Sequence, residues 1–131
     1  MTYRSRWDHA CEVDEMMGRT LTSIEGAETG SDEITFTCDD GTRFVMYHEQ
    51  GCCESVCIED VIGSPEDLVG EPLRMAEEVS DADGPEPENH DSYTWTFYKF
   101  ATAKGYVTIR WLGESNGYYS ESVDLCKLPP A

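Results

Sequence analysis

The clearest alternation of apolar and polar positions runs from Glu33 to Cys38, where Ile34, Phe36 and Cys38 fall on one face and Thr35 and Thr37 on the other. A period of two is that of a strand with one buried face. Thr42 to His48 repeats it, and Asp39-Asp40-Gly41 between them supplies residues that tolerate positive φ, so the two runs predict a hairpin. Before it, Glu12 to Met17 reads as a turn of helix or a lead-in broken by Gly18, and Leu21 and Ile24 precede a turn region at Gly26 to Asp32. After it, Val56 and Ile58 suggest a third strand. Ser64-Pro65-Glu66-Asp67 places a cap candidate before proline and acids in a first turn, which predicts a short helix ending at Gly70. Pro72 to Val79 is expected to pair as a strand with Leu73, Met75 and Glu77 on one side.

Tyr93 to Phe100 is aromatic on both faces, as expected of a central strand. Turns at Ala103-Lys104-Gly105 and Asn116-Gly117 then divide Tyr106 to Leu112 from Tyr118 to Leu125, predicting a three-stranded meander. The sum is six or seven strands and one short helix. Such a pattern fits a mainly β or α+β domain, an antiparallel sandwich or roll built from hairpins over residues 1–131, and disfavours a parallel sheet with long crossover helices.

Charge changes the picture next. The 131 residues carry 27 acids against nine bases, a formal net charge of -18. Glu49 to Asp91 holds 14 of those acids and a single base, Arg74, hence -13 of the total. Electrostatics of this sign disfavours direct binding to nucleic acid or to anionic membranes. No apolar run is long enough to span a bilayer, and Met1 to Trp7 lacks a secretory pattern, so a cytosolic protein is expected. Ser80 to Ser92 contains five acids, two prolines and no large apolar residue, and is expected to be a flexible acidic loop.

Chemistry concentrates in one run, Tyr47-His48-Glu49-Gln50-Gly51-Cys52-Cys53-Glu54-Ser55-Val56-Cys57. Imidazole and thiolate are ligands of zinc and softer metals, which makes His48, Cys52 and Cys53, with Cys57, a candidate metal site. A second ligand pair would have to come from Cys38, Cys126 or an acid. Adjacent residues of a strand point to opposite faces, so Cys52 and Cys53 are not expected to share a metal unless the backbone bulges. A nucleophilic cysteine with His48 as base is disfavoured by Glu49, Glu54, Glu59 and Asp60, which raise a thiol pKa. The six cysteines are expected to be reduced thiols.

Glu59-Asp60 and Glu77-Glu78 lack the partners of an acid–base pair, and no Walker loop, GxGxxG, HExxH or GxSxG is present. No enzymatic activity and no cofactor are expected. Exposed acids from the middle third, Glu59, Asp60, Glu66, Asp67, Glu77 and Glu78, with Tyr118 or Tyr119 after the Asn116-Gly117 turn as an aromatic anchor, instead form a candidate surface for a basic partner.

Five runs carry a resemblance: Gly18-Arg19-Thr20-Leu21; Asp39-Asp40-Gly41; Tyr47-His48 with Cys52-Cys53-Glu54-Ser55-Val56; Tyr93 to Tyr98; and Gly105 to Trp111 through Ser115 to Ser120. Over Met17 to Leu125 the chain resembles an uncharacterised domain of small proteins encoded by tailed phages and prophages. That family has no established activity, so no site transfers with it, and Cys11, Cys57 and Cys126 lie outside the matching runs. The resemblance implies an interaction protein acting in the host cytoplasm, an inhibitor of a basic host protein or nucleoprotein complex such as a CRISPR effector. The alternative is an accessory domain binding a metal or small ligand through His48, Cys52 and Cys53, and a phage structural component is a third reading.

Overall fold

The computed structural model describes residues 9–80, 92–117 and 119–130. Eight strands are present among the described residues: β1 (Leu21–Glu25), β2 (Glu33–Cys38), β3 (Arg43–Tyr47), β4 (Ser55–Ile62), β5 (Met75–Ser80), β6 (Ser92–Thr102), β7 (Gly105–Ser115) and β8 (Asp124–Leu128). They form two four-stranded antiparallel sheets, ordered β1-β2-β3-β8 and β4-β7-β6-β5. The expected sandwich of hairpins is the architecture found. Its two sheets share one core, in which Ile34, Phe36, Phe44 and Met46 of the first meet Ile58, Tyr98, Phe100, Ile109 and Trp111 of the second. Phe36 and Phe100 join the sheets directly, with ring centroids 5.5 Å apart.

The β2–β3 hairpin forms where the alternation places it, from Glu33↔Tyr47 to Thr37↔Arg43. Its turn closes through Cys38 N–H donating to the Thr42 carbonyl at 2.8 Å, and Gly41 takes φ +90°, which a side chain would resist. The aromatic strand β6 is central in its sheet, between β5 and β7, and turns into β7 through two residues after the pair Thr102↔Gly105.

Four expectations are corrected. The C-terminal strand is β8, Asp124–Leu128, and it pairs with β3 of the first sheet instead of continuing a meander from β7. A turn signal at Asn116-Gly117 reverses the chain locally and does not decide which edge it joins; β3 offers an open edge that is apolar on both faces, Leu125 joining Phe44 and Met46 on one and Cys126 and Leu128 joining Val45 and Tyr47 on the other. The short helix is a 3₁₀ turn, Pro65–Leu68, with a second at Val13–Met16. Ser64 makes no side-chain cap there, and Leu68 anchors the turn by full burial. Residues Leu21–Glu25 are a strand that their mixed pattern does not announce. Of the run Pro72 to Val79 only the part from Met75 is strand, because the ladder with β6 begins there: Leu73 is buried ahead of it, Ala76 is its buried position, Met75 is half-buried and Glu77 exposed. The proposed acidic loop runs from the last residue of β5 to the first of β6, and its interior, residues 81–91, lies outside the described residues.

Phe36→Ala removes one side of the contact that joins the sheets and is expected to cost about 3–5 kcal/mol, read as a lower urea midpoint. Tyr106→Ala, at a position 74% exposed, is expected to stay within about 0.5 kcal/mol of the parent.

Candidate functional site

The chain crosses between sheets twice, from β3 to β4 through residues 48–54 and from β7 to β8 through residues 116–123. Both passages meet at Glu54. Its residue is 5% exposed, and its carboxylate collects donors from every side: His48 Nε2 at 2.7 Å and Gly51 N–H at 2.7 Å on Oε2, and Cys52 N–H at 2.8 Å on Oε1. A charge closed off from water is tolerated only when hydrogen-bonded in this way. His48 and the backbone of Gly51 outweigh the desolvation, and the carboxyl is pushed down from 4.5 to about 2.

The other imidazole nitrogen, Nδ1, lies 2.7 Å from the Ser122 carbonyl of the second passage. A carbonyl only accepts, so Nδ1 donates to Ser122, while Nε2 is taken up by the Glu54 carboxylate, and both ring nitrogens are engaged. Gln50 Nε2 ties the turn further, donating to the carbonyls of Glu54 at 2.6 Å and Cys52 at 3.1 Å. Glu49 N–H donates to Asp124 Oδ2 at 2.9 Å. On the second passage Glu121 accepts from the Thr94 hydroxyl at 2.8 Å and from Ser115. Burial raises its carboxyl, and the hydroxyls of Ser115, Ser92 and Thr94 reverse that and hold it below the ordinary value. The passage packs so closely over β7 that a Cβ on Gly113 would sit 2.3 Å from the Glu121 carbonyl oxygen.

This geometry decides what His48, Cys52 and Cys53 can do together. Both imidazole nitrogens are engaged, so His48 has neither a lone pair for a metal nor one for a thiol proton. Among the described residues no three His, Cys, Asp or Glu side chains are grouped to hold a metal. The expectation that Cys52 and Cys53 diverge is corrected, because they stand in a turn and not in a strand, and their exposed thiols lie on one side with Sγ atoms 2.9 Å apart. The hydrogen bond with Cys52, ahead of weaker effects of burial and of Glu54, raises the Cys53 thiol. Cys57 is half-buried on β4 and is raised by burial and by Glu114, Asp32 and Glu59. Tyr119, 38% exposed, has its phenol raised by a hydrogen bond with Cys52. Tyr118 lies outside the described residues.

The acids singled out for a partner are not brought into one face. β4 and β5 are the two outer strands of the second sheet, so Glu59-Asp60 and Glu77-Glu78 occupy opposite edges. Arg110 pairs with Glu59 and lies 3.9 Å from Asp60, with its guanidinium 5.3 Å from the centroid of the Trp95 ring. Glu66 is exposed on the 3₁₀ turn, while Asp67 packs over Gly105 and accepts at its carbonyl from the Thr102 hydroxyl. Along β5 a groove of about 440 Å³ is lined by Glu12, Val13, Asp14, Ala76, Glu77, Glu78 and Val79. A second hollow, of about 200 Å³, shares Glu12 and Glu78 and adds Asp124. The contribution of Glu12 and Asp14 was hidden in sequence by the roughly 60 residues that separate them from β5; only the topology makes them neighbours.

Because the Glu54 carboxyl titrates lower in the folded chain than in the unfolded one, its stabilisation is fully present above pH 4.5 and is lost as the pH falls towards about 2. Glu54→Gln is therefore expected to lower Tm at pH 7, with the gap from the parent closing across that window. A constant gap in a pH series of melting curves would show that the ionised carboxylate is not the stabilising form.

A family model for a domain of unknown function, DUF7448, matches residues 14–125. No curated protein and no solved structure matches the chain. The matched span starts in the first 3₁₀ turn, ends in β8 and takes in both passages between the sheets together with His48, Glu54 and the paired thiols. The chain accordingly belongs to the DUF7448 family.

Proposed function

We propose that the protein is an interaction protein, without catalytic activity of its own, which presents an acidic surface to a basic partner. The observation that carries this reading is the groove along β5, whose lining includes Glu12, Asp14, Glu77 and Glu78 and no Lys or Arg. Among the described residues β5 is an outer strand with a ladder partner on one side only, and Val79 beside the acids is 40% exposed. An extended basic segment laid along such an edge finds backbone groups, apolar surface and carboxylates together. Charge draws the partner in and the apolar contact discriminates among basic proteins.

Arg110 already balances Glu59 and Asp60, which moves the weight of the interaction from β4 to β5. Tyr119 belongs with the Cys52-Cys53 turn and does not line the groove. No helix among the described residues is long and apolar enough to cross a membrane. In the finer form of the proposal the partner is a basic host protein or nucleoprotein complex in the host cytoplasm, a nucleic-acid-handling or defence complex of the CRISPR type. That form rests on the resemblance to phage-encoded proteins and on the acidic balance of the chain.

The test is capture of basic proteins from bacterial lysate on the immobilised chain at low and high salt. Reversing Glu77 and Glu78 together to Lys is expected to weaken the captured complex at least tenfold, about 1.4 kcal/mol. The same reversal at Glu59 and Asp60 is expected to matter less, and high salt to release the partner. Affinity indifferent to salt and to the β5 reversals would reduce the acidic groove to a device for solubility.

A further inference from the structure

We propose that Cys52 and Cys53 form a two-thiol chelating site for a trivalent thiophilic metalloid of the arsenic(III) class. Both thiols are exposed, neither is in a disulfide, and the turn that carries them is held by Glu54 and Gln50 with the sulfurs on one side, 2.9 Å apart. Thiolate is the ligand that selects soft centres over hard ones.

The separation of the sulfurs discriminates among those centres. With metal–sulfur bonds of about 2.3 Å, a linear two-coordinate ion requires sulfurs about 4.6 Å apart, a tetrahedral one about 3.8 Å, and a pyramidal centre with near-right angles about 3.3 Å. The observed 2.9 Å lies nearest the last. His48 is not available to complete a tetrahedral set, since its nitrogens serve Glu54 and Ser122. A pyramidal centre needs only one further group, and the exposure of both thiols leaves that position to solvent or to an organic substituent.

The competing fate of two such thiols is a disulfide between them. Adjacent Cα atoms across a trans peptide stand about 3.8 Å apart, short of the 4.4–6.8 Å usual for a disulfide, so that bond is strained and easily reduced. Inserting an atom between the sulfurs avoids the strain. With an organoarsenic oxide, two As–S bonds form while the As–oxygen bond and two S–H bonds break; the two protons leave with the oxygen as water, and arsenic stays trivalent throughout.

Phenylarsine oxide added to the reduced full chain tests this by intact mass and by alkylation mapping. The expected result is one arsenic per chain, protection of Cys52 and Cys53 from alkylation, and release by dimercaptopropanol but not by an equal concentration of monothiol. Cys52→Ser and Cys53→Ser are each expected to weaken binding by about 10²-fold or more, the loss of an intramolecular second bond, while leaving Tm unchanged. Cys57→Ser is expected to bind as the parent does. Adducts that survive either serine variant, that monothiol removes, or that map to Cys11 or Cys57 would overturn the proposal, as would tighter binding of zinc by the same two thiols.

Discussion

A two-sheet sandwich requires the chain to leave one sheet for the other, and here each departure is governed by the carboxylate of Glu54. The described residues of the passages 48–54 and 116–123 are mostly exposed, and Glu54, at the end of the first, is the buried group on which they converge. Glu54 takes the backbone N–H groups of Gly51 and Cys52 and the imidazole of His48, and His48 in turn takes the carbonyl of Ser122. One ionised side chain thus fixes the first crossing directly and the second through a histidine. A buried charge contributes in this way only while every donor is in place, so the arrangement specifies the geometry of the crossings more than it adds net stability. Glu121 repeats the device on a smaller scale, holding the second passage against β6 and β7 through Thr94 and Ser115.

The sheets distribute the protein's charge in a way its sequence does not suggest. Strand register places Glu77 across from Lys99, and Asp60 across from Arg110, on one face of the second sheet. Acids and bases are mixed there, and Arg110 lies over Trp95 as well as beside Glu59. The groove at the β5 rim is lined by acids and no base, Glu12 and Asp14 at the start of the Val13–Met16 turn joining Glu77 and Glu78 there. The surface available to a basic partner is therefore a rim assembled from two remote parts of the chain, and not the contiguous middle third.

What was legible in the sequence follows the range of the interactions involved. The β2–β3 and β6–β7 hairpins are local, and alternation with turn residues suffices to read them. So was the central place of β6, because a strand aromatic on both faces needs cover on both. The destination of β8 was not legible, since it is set by an open edge at β3 some eighty residues earlier. Nor was Leu21–Glu25, in which Leu21 is fully buried while its neighbours are half-exposed and the ladder to β2 is irregular between Leu21 and Ser23. In the sequence Glu54 is only one of four acids, with Glu49, Glu59 and Asp60, that disfavour a reactive thiol among the cysteines. Only the position of His48 and Ser122 in space distinguishes it from Glu49 and Glu59, and a histidine six residues before a glutamate is no signal by itself.

The same carboxylate that organises the crossings also sets the chemistry of the exposed thiols. In an extended strand Cys52 and Cys53 would face opposite ways, and no ligand would see both. Glu54 draws the Cys52 N–H inward and Gln50 holds the Cys52 carbonyl, so the backbone turns within two residues and leaves both sulfurs on the outside. Tyr119, brought over from the second passage, then lies against Cys52. The thiol pair is thus a product of tertiary structure: the buried clamp keeps the turn closed, and a closed turn keeps two soft donors at a separation that adjacent cysteines in a free chain would hold only transiently.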